Sequence, residues 1–135
     1  MTDGNRTGPL EDLTIIDCTR ALAGPFGASL LADLGARVIK IEPPLGDGYR
    51  NIPPFLPDYA SPYDEDAAGS DFGAPFAAVN KNKRSVCLDL KQAADKDVFL
   101  QLCDQADAIV ENMRAGVMDK LGLGYEVLAE RNPKI

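Results

Sequence analysis

The pattern that most constrains this chain lies near its start, where two short apolar runs flank a stretch of helical periodicity. Leu13-Thr14-Ile15-Ile16-Asp17 is a β-branched run of the kind that forms a strand buried on both faces. Ala23-Gly24-Pro25 then opens a helix, with proline at its first position, and Phe26, Leu30, Leu31 and Leu34 recur at helical spacing. Gly35 ends that helix in the manner of a left-handed cap, and Val38, Ile39 and Ile41 make a second strand running to Glu42. Strand, helix and strand in this order form a crossover unit that joins parallel strands with right-handed connection.

The same alternation returns further on. Ser85-Val86-Cys87-Leu88-Asp89 reads as a third strand. A helix follows from about residue 93 to 105, with an apolar stripe of Ala94, Val98, Phe99, Leu102, Cys103 and Ala106. Residues 108–110 form a fourth strand ending in Glu111-Asn112, and residues 116–121 and 125–130 form two short helical pieces. Lys134-Ile135 begins a further strand, whose edge a later segment or a partner chain would complete. The implied class is α/β, a parallel doubly wound sheet with alternating strands and helices. Residues 1–12 are expected to form a flexible tail ahead of one domain at 13–135, and residues 43–79 to form a long irregular loop rich in proline, glycine and aromatic residues. Asp64-Glu65-Asp66 within that loop reads as a solvated tip.

Composition narrows the function. A net charge of −7 argues against nucleic acid as a partner, because phosphate contacts need a basic face. No apolar run reaches the roughly 18 to 20 residues of a membrane helix, and residues 1–12 lack a signal-peptide core, which points to a cytoplasmic protein that does not enter membranes. The chain has no histidine, so no histidine triad or histidine general base is available. With no Cys-x-x-Cys pair either, no metal site is expected; Cys18, Cys87 and Cys103 read as reduced, buried thiols.

Several side chains sit where chemistry could occur. The start of the first helix offers free N–H groups to a phosphate or a carbonyl. Lys81, Lys83 and Arg84 cluster ahead of the third strand, and a phosphate contact from at least one of them is expected. Glu42, Asp89 and Glu111 fall at strand ends, where ligands of open α/β sheets bind. They read as caps and surface carboxylates rather than nucleophiles, and Asp17 is expected to bond the loop that follows it.

Four segments carry a resemblance to a known family. They are residues 10–20 leading into Ala23-Gly24-Pro25-Phe26; residues 31–44, with Ala32-Asp33-Leu34-Gly35-Ala36 and Lys40-Ile41-Glu42-Pro43-Pro44; Asn80-Lys81-Asn82-Lys83-Arg84-Ser85 continuing to Lys91; and Ala106-Asp107 through Glu111-Asn112-Met113-Arg114 to Asn132-Pro133. In this order they resemble the family III CoA-transferases, the family of carnitine-CoA transferase, formyl-CoA transferase and α-methylacyl-CoA racemase, over its N-terminal portion. The resemblance implies a Rossmann-like domain, a homodimer in the full-length enzymes, and coenzyme A as a substrate rather than a cofactor, exchanged between acyl-CoA and carboxylic acids. It also implies a CoA site lined by Leu22, Ala23, Leu88, Asp89, Leu90, Lys91, Asn112, Met113, Arg114 and Lys120. Met113 and Ala115 stand where family members often have Phe and Pro, and Pro43 where one branch has Arg. The family's nucleophilic aspartate lies beyond the point matching Ile135, so the chain is expected to supply CoA binding and no catalytic residue of its own. Two other readings stay open: an acyl-CoA racemase or isomerase of the same family, and a non-catalytic remnant that binds a partner chain.

Overall fold

The computed structural model describes residues 7–56 and 72–135. Asp64, Glu65 and Asp66, most of the irregular loop's middle, and residues 1–6 lie outside the described residues. Among the described residues, no helix is long and apolar enough to cross a membrane.

The frame is a four-stranded sheet of β1 (Thr14–Asp17), β2 (Arg37–Glu42), β5 (Arg84–Cys87) and β6 (Ala108–Val110), in the order β5-β2-β1-β6. Every pairing is parallel. Helix α1 (Ala23–Asp33) joins β1 to β2 and α3 (Ala93–Cys103) joins β5 to β6, as the periodicity requires. The chain builds outward from β1 to β2 and β5, then returns to place β6 on the other side of β1. That reversal creates a crevice at the carboxyl ends of β1 and β6, where open α/β sheets bind ligands.

Two cores cover the two faces of the sheet. One gathers Ile16, Cys18, Ile41, Leu88, Phe99, Cys103 and Leu128, and the other Ile15, Ala28, Ala32, Ala36 and Val38. On α1, small residues make the contact: Pro25, Ala28, Ser29 and Ala32 are buried, whereas Phe26, Leu30 and Leu34 project outward. Of the large apolar residues that signal the helix, only Leu31 packs on the sheet-side core, because close approach of helix to sheet selects short side chains. Helix α3 differs similarly from its expected stripe: Phe99 and Cys103 are buried, while Val98 is 42% exposed.

Other expectations need correction. Cys87 is exposed, because β5 is an edge strand with one flank open, while Cys18 and Cys103 are buried as expected. The stretch read as an irregular loop contains a 3-10 turn at Gly48–Asn51 and a helix, α2 (Ala74–Val79). Helix α2 starts with proline in its first turn, a position where the missing N–H costs nothing. Between them, β3 (Phe55–Leu56) pairs antiparallel with β4 (Phe72–Gly73), and Gly73 is required there because a Cβ would come 2.5 Å from the Tyr49 carbonyl oxygen. Part of the expected tail is also fixed: Leu10 donates its N–H to the Leu34 carbonyl at 3.1 Å and packs on the second core. At the last residues, the Ile135 N–H donates to the Asn132 carbonyl at 3.0 Å and the Ile135 side chain packs against the first core. Helices α4 (Val117–Lys120) and α5 (Tyr125–Arg131) fall where the sequence places them.

A buried ion pair ties these parts together. Asp17, fully buried at the end of β1, accepts from Lys83 Nζ at 2.7 Å. The same ammonium donates to the Pro25 carbonyl at 2.7 Å and to Asn80 Oδ1 at 2.9 Å. Asp17 also accepts the backbone N–H and the hydroxyl of Thr19, which is the bond to the following loop that the sequence suggests. Burial pulls the Lys83 ammonium below its ordinary range, and the Asp17 carboxylate opposes that pull. Removing one member of such a pair strands the other's charge away from water. Lys83→Ala is therefore expected to lower the unfolding free energy by about 3–5 kcal/mol in urea denaturation; a loss below about 1 kcal/mol would show that the pair is not holding β1 to the α2–β5 turn.

Candidate functional site

A cavity of about 950 Å³ opens at the carboxyl ends of the parallel strands. That volume suits a ligand of cofactor size. Each wall comes from the segment that follows one strand. Cys18 and Arg20 follow β1; Pro43, Pro44, Leu45 and Gly46 follow β2; Leu88, Asp89, Leu90 and Lys91 follow β5; Asn112, Met113 and Arg114 follow β6. Ile41, Val117 and Leu121 complete the apolar lining.

The residues that resemblance assigns to the site divide in two. Leu88, Asp89, Leu90, Lys91, Asn112, Met113 and Arg114 come together around this cavity, although 20 or more positions separate the two groups in the chain. Leu22, Ala23 and Lys120 do not line it: Leu22 caps α1 and is 54% exposed, Ala23 is the first residue of α1, and Lys120 is the exposed last residue of α4. The basic cluster ahead of β5 stands apart from this cavity. Lys83 is spent on Asp17, Lys81 pairs with Asp33 at 2.6 Å, and none of Lys81, Lys83 and Arg84 lines the cavity. Lys81 and Lys83 thus each answer a carboxylate distant in the chain.

Sequence reasoning did not assign Arg20 or residues 43–46 to the site. Arg20 stood within the first family-like segment, and the Pro-Pro-Leu-Gly run after β2 signals a turn at a strand end, which is a position where ligands of this sheet type bind. Leu45 is 95% exposed, an unusual state for a leucine beside an apolar cavity.

The carboxylates near the cavity are held by the fold. Asp89 Oδ1 accepts the Lys91 N–H at 3.1 Å and Glu111 Oε2 accepts the Met113 N–H at 2.7 Å, so each closes a tight turn two residues on. Glu42 is not a surface group. It is 4% exposed, takes a paired contact from Arg50 at 2.8 and 2.7 Å, and accepts from Ser85 Oγ at 2.6 Å. The Arg50 guanidinium in turn lies 3.8 Å above the Phe76 ring. Asn112 bridges the crevice: its Oδ1 accepts the Arg20 N–H and its Nδ2 donates to the Arg20 carbonyl, both at 2.9 Å. This reciprocal pair fixes the loop after β1 to the loop after β6 at the point where strand order reverses. Cys18 borders the cavity, but burial raises its thiol far above the ordinary range; burial likewise pushes Cys103 up to about 12. Burial thus favours the neutral thiol at both positions, the less nucleophilic form.

The positive side chains at the cavity are Arg20, Lys91 and Arg114, gathered in a chain whose net charge is −7. Cations together with apolar lining residues suit a ligand with an anionic end and a long, weakly polar arm. An open parallel α/β sheet with such a cavity at its strand ends places the chain in the doubly wound α/β class.

Comparison with known proteins specifies the class further. The chain belongs to CoA-transferase family III, whose family model matches residues 10–135. It is 47% identical over 128 residues to the succinyl-CoA:mesaconate CoA-transferase of Haloarcula hispanica, covering 95% of this chain and 30% of the relative. It is 44% identical over 135 residues to the acetyl-CoA:oxalate CoA-transferase of Acetobacter aceti, covering 99% of this chain and 31% of the relative. Among solved structures, the CAIB/BAIF family protein from Brucella suis superposes with a TM-score of 0.82 at 38% identity, over 93% of this chain and 31% of that one. The chain thus spans about 30% of the length of the curated relatives it matches.

Glu42 gives this site a pH dependence. Burial raises its carboxyl, but the bonds from Arg50 and Ser85 outweigh that and hold it at about 2, below the ordinary 4.5. A carboxylate depressed in the folded state contributes stability above its unfolded value and loses it as pH falls toward the folded value. Between about pH 5 and about pH 2, the protein should lose on the order of 3 kcal/mol more than Glu42→Gln does. Urea midpoints measured across that window check this, and parallel losses in the two proteins would contradict it.

Proposed function

We propose that this chain forms the CoA-binding part of an enzyme that moves CoA between carboxylic acids. The observation that carries the reading is the grouping of Arg20, Lys91 and Arg114 with residues 88–90 and 112–113 around one cavity at the strand ends. A CoA molecule has a diphosphate and a 3′-phosphate at one end and a pantetheine arm at the other. Guanidinium groups bind phosphate oxygens through charge-assisted, often paired hydrogen bonds, and Arg20 and Arg114 fill that role here. The apolar surfaces of Pro43, Pro44, Leu88, Val117 and Leu121 accommodate the arm.

The chemistry under this reading is covalent catalysis by a carboxylate. The carboxylate attacks the thioester carbonyl, the CoA thiolate leaves, and an acyl anhydride remains on the enzyme. The thiolate then attacks the enzyme's own carbonyl, releasing the donor acid and leaving CoA on the enzyme as a thioester. The acceptor carboxylate reverses these two steps. Asp89, Glu111 and Glu42 are engaged in backbone turns and a buried ion pair, which supports assigning the attacking carboxylate outside these 135 residues. The named relatives are CoA-transferases, which favours transfer over racemisation.

Calorimetric titration of the 135-residue chain with CoA tests the binding role. Saturable binding is expected, weakened by added salt and by about tenfold or more in Arg20→Ala and in Arg114→Ala, since a hydrogen bond to a charged group contributes about 1.5–3 kcal/mol. Unchanged affinity in the double arginine variant would rule out this cavity as the phosphate site.

A further inference from the structure

Beside the loops that line the cavity lies another buried ion pair, whose residues do not line the cavity themselves. Lys40 Nζ stands 3.2 Å from Asp47 Oδ2, with both side chains 2% exposed. The ammonium also donates to the Thr19 carbonyl at 2.8 Å. Asp47 Oδ1 accepts the Tyr49 N–H at 3.0 Å and the Ala21 N–H at 3.5 Å, and the Asp47 N–H reaches Glu42 Oε2 at 3.2 Å. Asp47 therefore contacts both loops that make this side of the cavity. Its own loop carries residues 43–46, and the loop after β1 carries Arg20. The loop after β1 holds a conformation that needs support, because Ala21 has a positive φ of 66°.

Stability alone does not account for this arrangement. A buried ion pair contributes little more than an apolar pair of the same volume would, because desolvation offsets the attraction. What a charge pair adds is direction: Lys40 is fixed by its bond to the Thr19 carbonyl and Asp47 by the N–H groups its Oδ1 accepts, while Asp47 Oδ2 makes no hydrogen bond and meets Lys40 as an ion pair alone.

We propose that Asp47 is a positioning residue of the cavity, acting with Lys40 as a latch that sets the 43–46 wall against the Arg20 loop at the separation that CoA requires. This rests on the reading that the cavity binds CoA. Asp47 touches no ligand; it acts through Arg20 and Leu45, whose walls it holds.

The test uses Lys40→Met, Asp47→Asn and their combination, because each single change strands a partner and risks the fold, whereas the double change leaves a neutral, near-isosteric pair. The melting temperature should fall in Lys40→Met and return most of the way in the double variant. The dissociation constant for CoA should stay at least tenfold above wild type in that same double variant. Hydrogen exchange at the Gly46 amide, which donates to the Pro43 carbonyl at 2.7 Å, should quicken tenfold or more, while the β2 amides of Val38 and Ile41 stay protected. Wild-type CoA affinity in the double variant overturns the proposal, whatever its melting temperature. If the wild-type chain takes up no CoA, the functional reading fails instead. The exchange experiment then decides the latch alone: unchanged protection at Gly46 overturns it.

Discussion

The structure depends on the compensation of charge buried at the carboxyl ends of β1 and β2. Asp17, Lys40, Glu42 and Asp47 are all nearly inaccessible to water, and Lys83 keeps its ammonium among them. Unpaired, any one of these would cost more than a small domain can spare. Paired as they are, they tie the sheet to the loops around it: Lys83 joins β1 to α1 and the α2–β5 turn, Lys40 joins β2 to the loop after β1, and Glu42 joins β2 to Arg50. The apolar cores keep the layers together, but they leave the loops undirected. It is the charged groups that aim them.

That arrangement explains why the cavity forms where it does. Strand order reverses between β1 and β6, so two loops diverge from neighbouring strand ends and leave a crevice. Asn112 spans it through both backbone groups of Arg20. A side chain that resemblance assigns to ligand contact therefore has its amide engaged by the protein itself. Its influence on a ligand passes through the placement of Arg20 and of its neighbours Met113 and Arg114. Cavity walls from every strand end meet only because each loop is fixed by a bond reaching a different part of the chain.

The sheet was legible in the sequence because its signals are local. The β-branched run at residues 14–16, the glycine after α1 and the alternation of strands with helices specify a parallel α/β layer without long-range information. Residues 88–91 and 112–114 could be assigned to a site because resemblance located them and strand ends bind ligands. The rest depended on distant partners. Nothing near Lys83 announces Asp17, 66 positions away, so three cations within four residues read alike although one of them is a core group. Helix α2 was obscured because its first-turn proline lies in a stretch full of loop residues. Cys87 appeared buried because a strand's pattern does not tell whether it ends up at an edge.

The most direct test of the account is where CoA perturbs the backbone. In amide NMR spectra of the 135-residue chain titrated with CoA, the account predicts that the largest shifts fall on residues 88–91 and 112–114 and on Arg20, with little change at Lys81, Lys83 and Arg84. Shifts concentrated at residues 81–84 and the start of α1, with residues 88–91 and 112–114 unmoved, would contradict it.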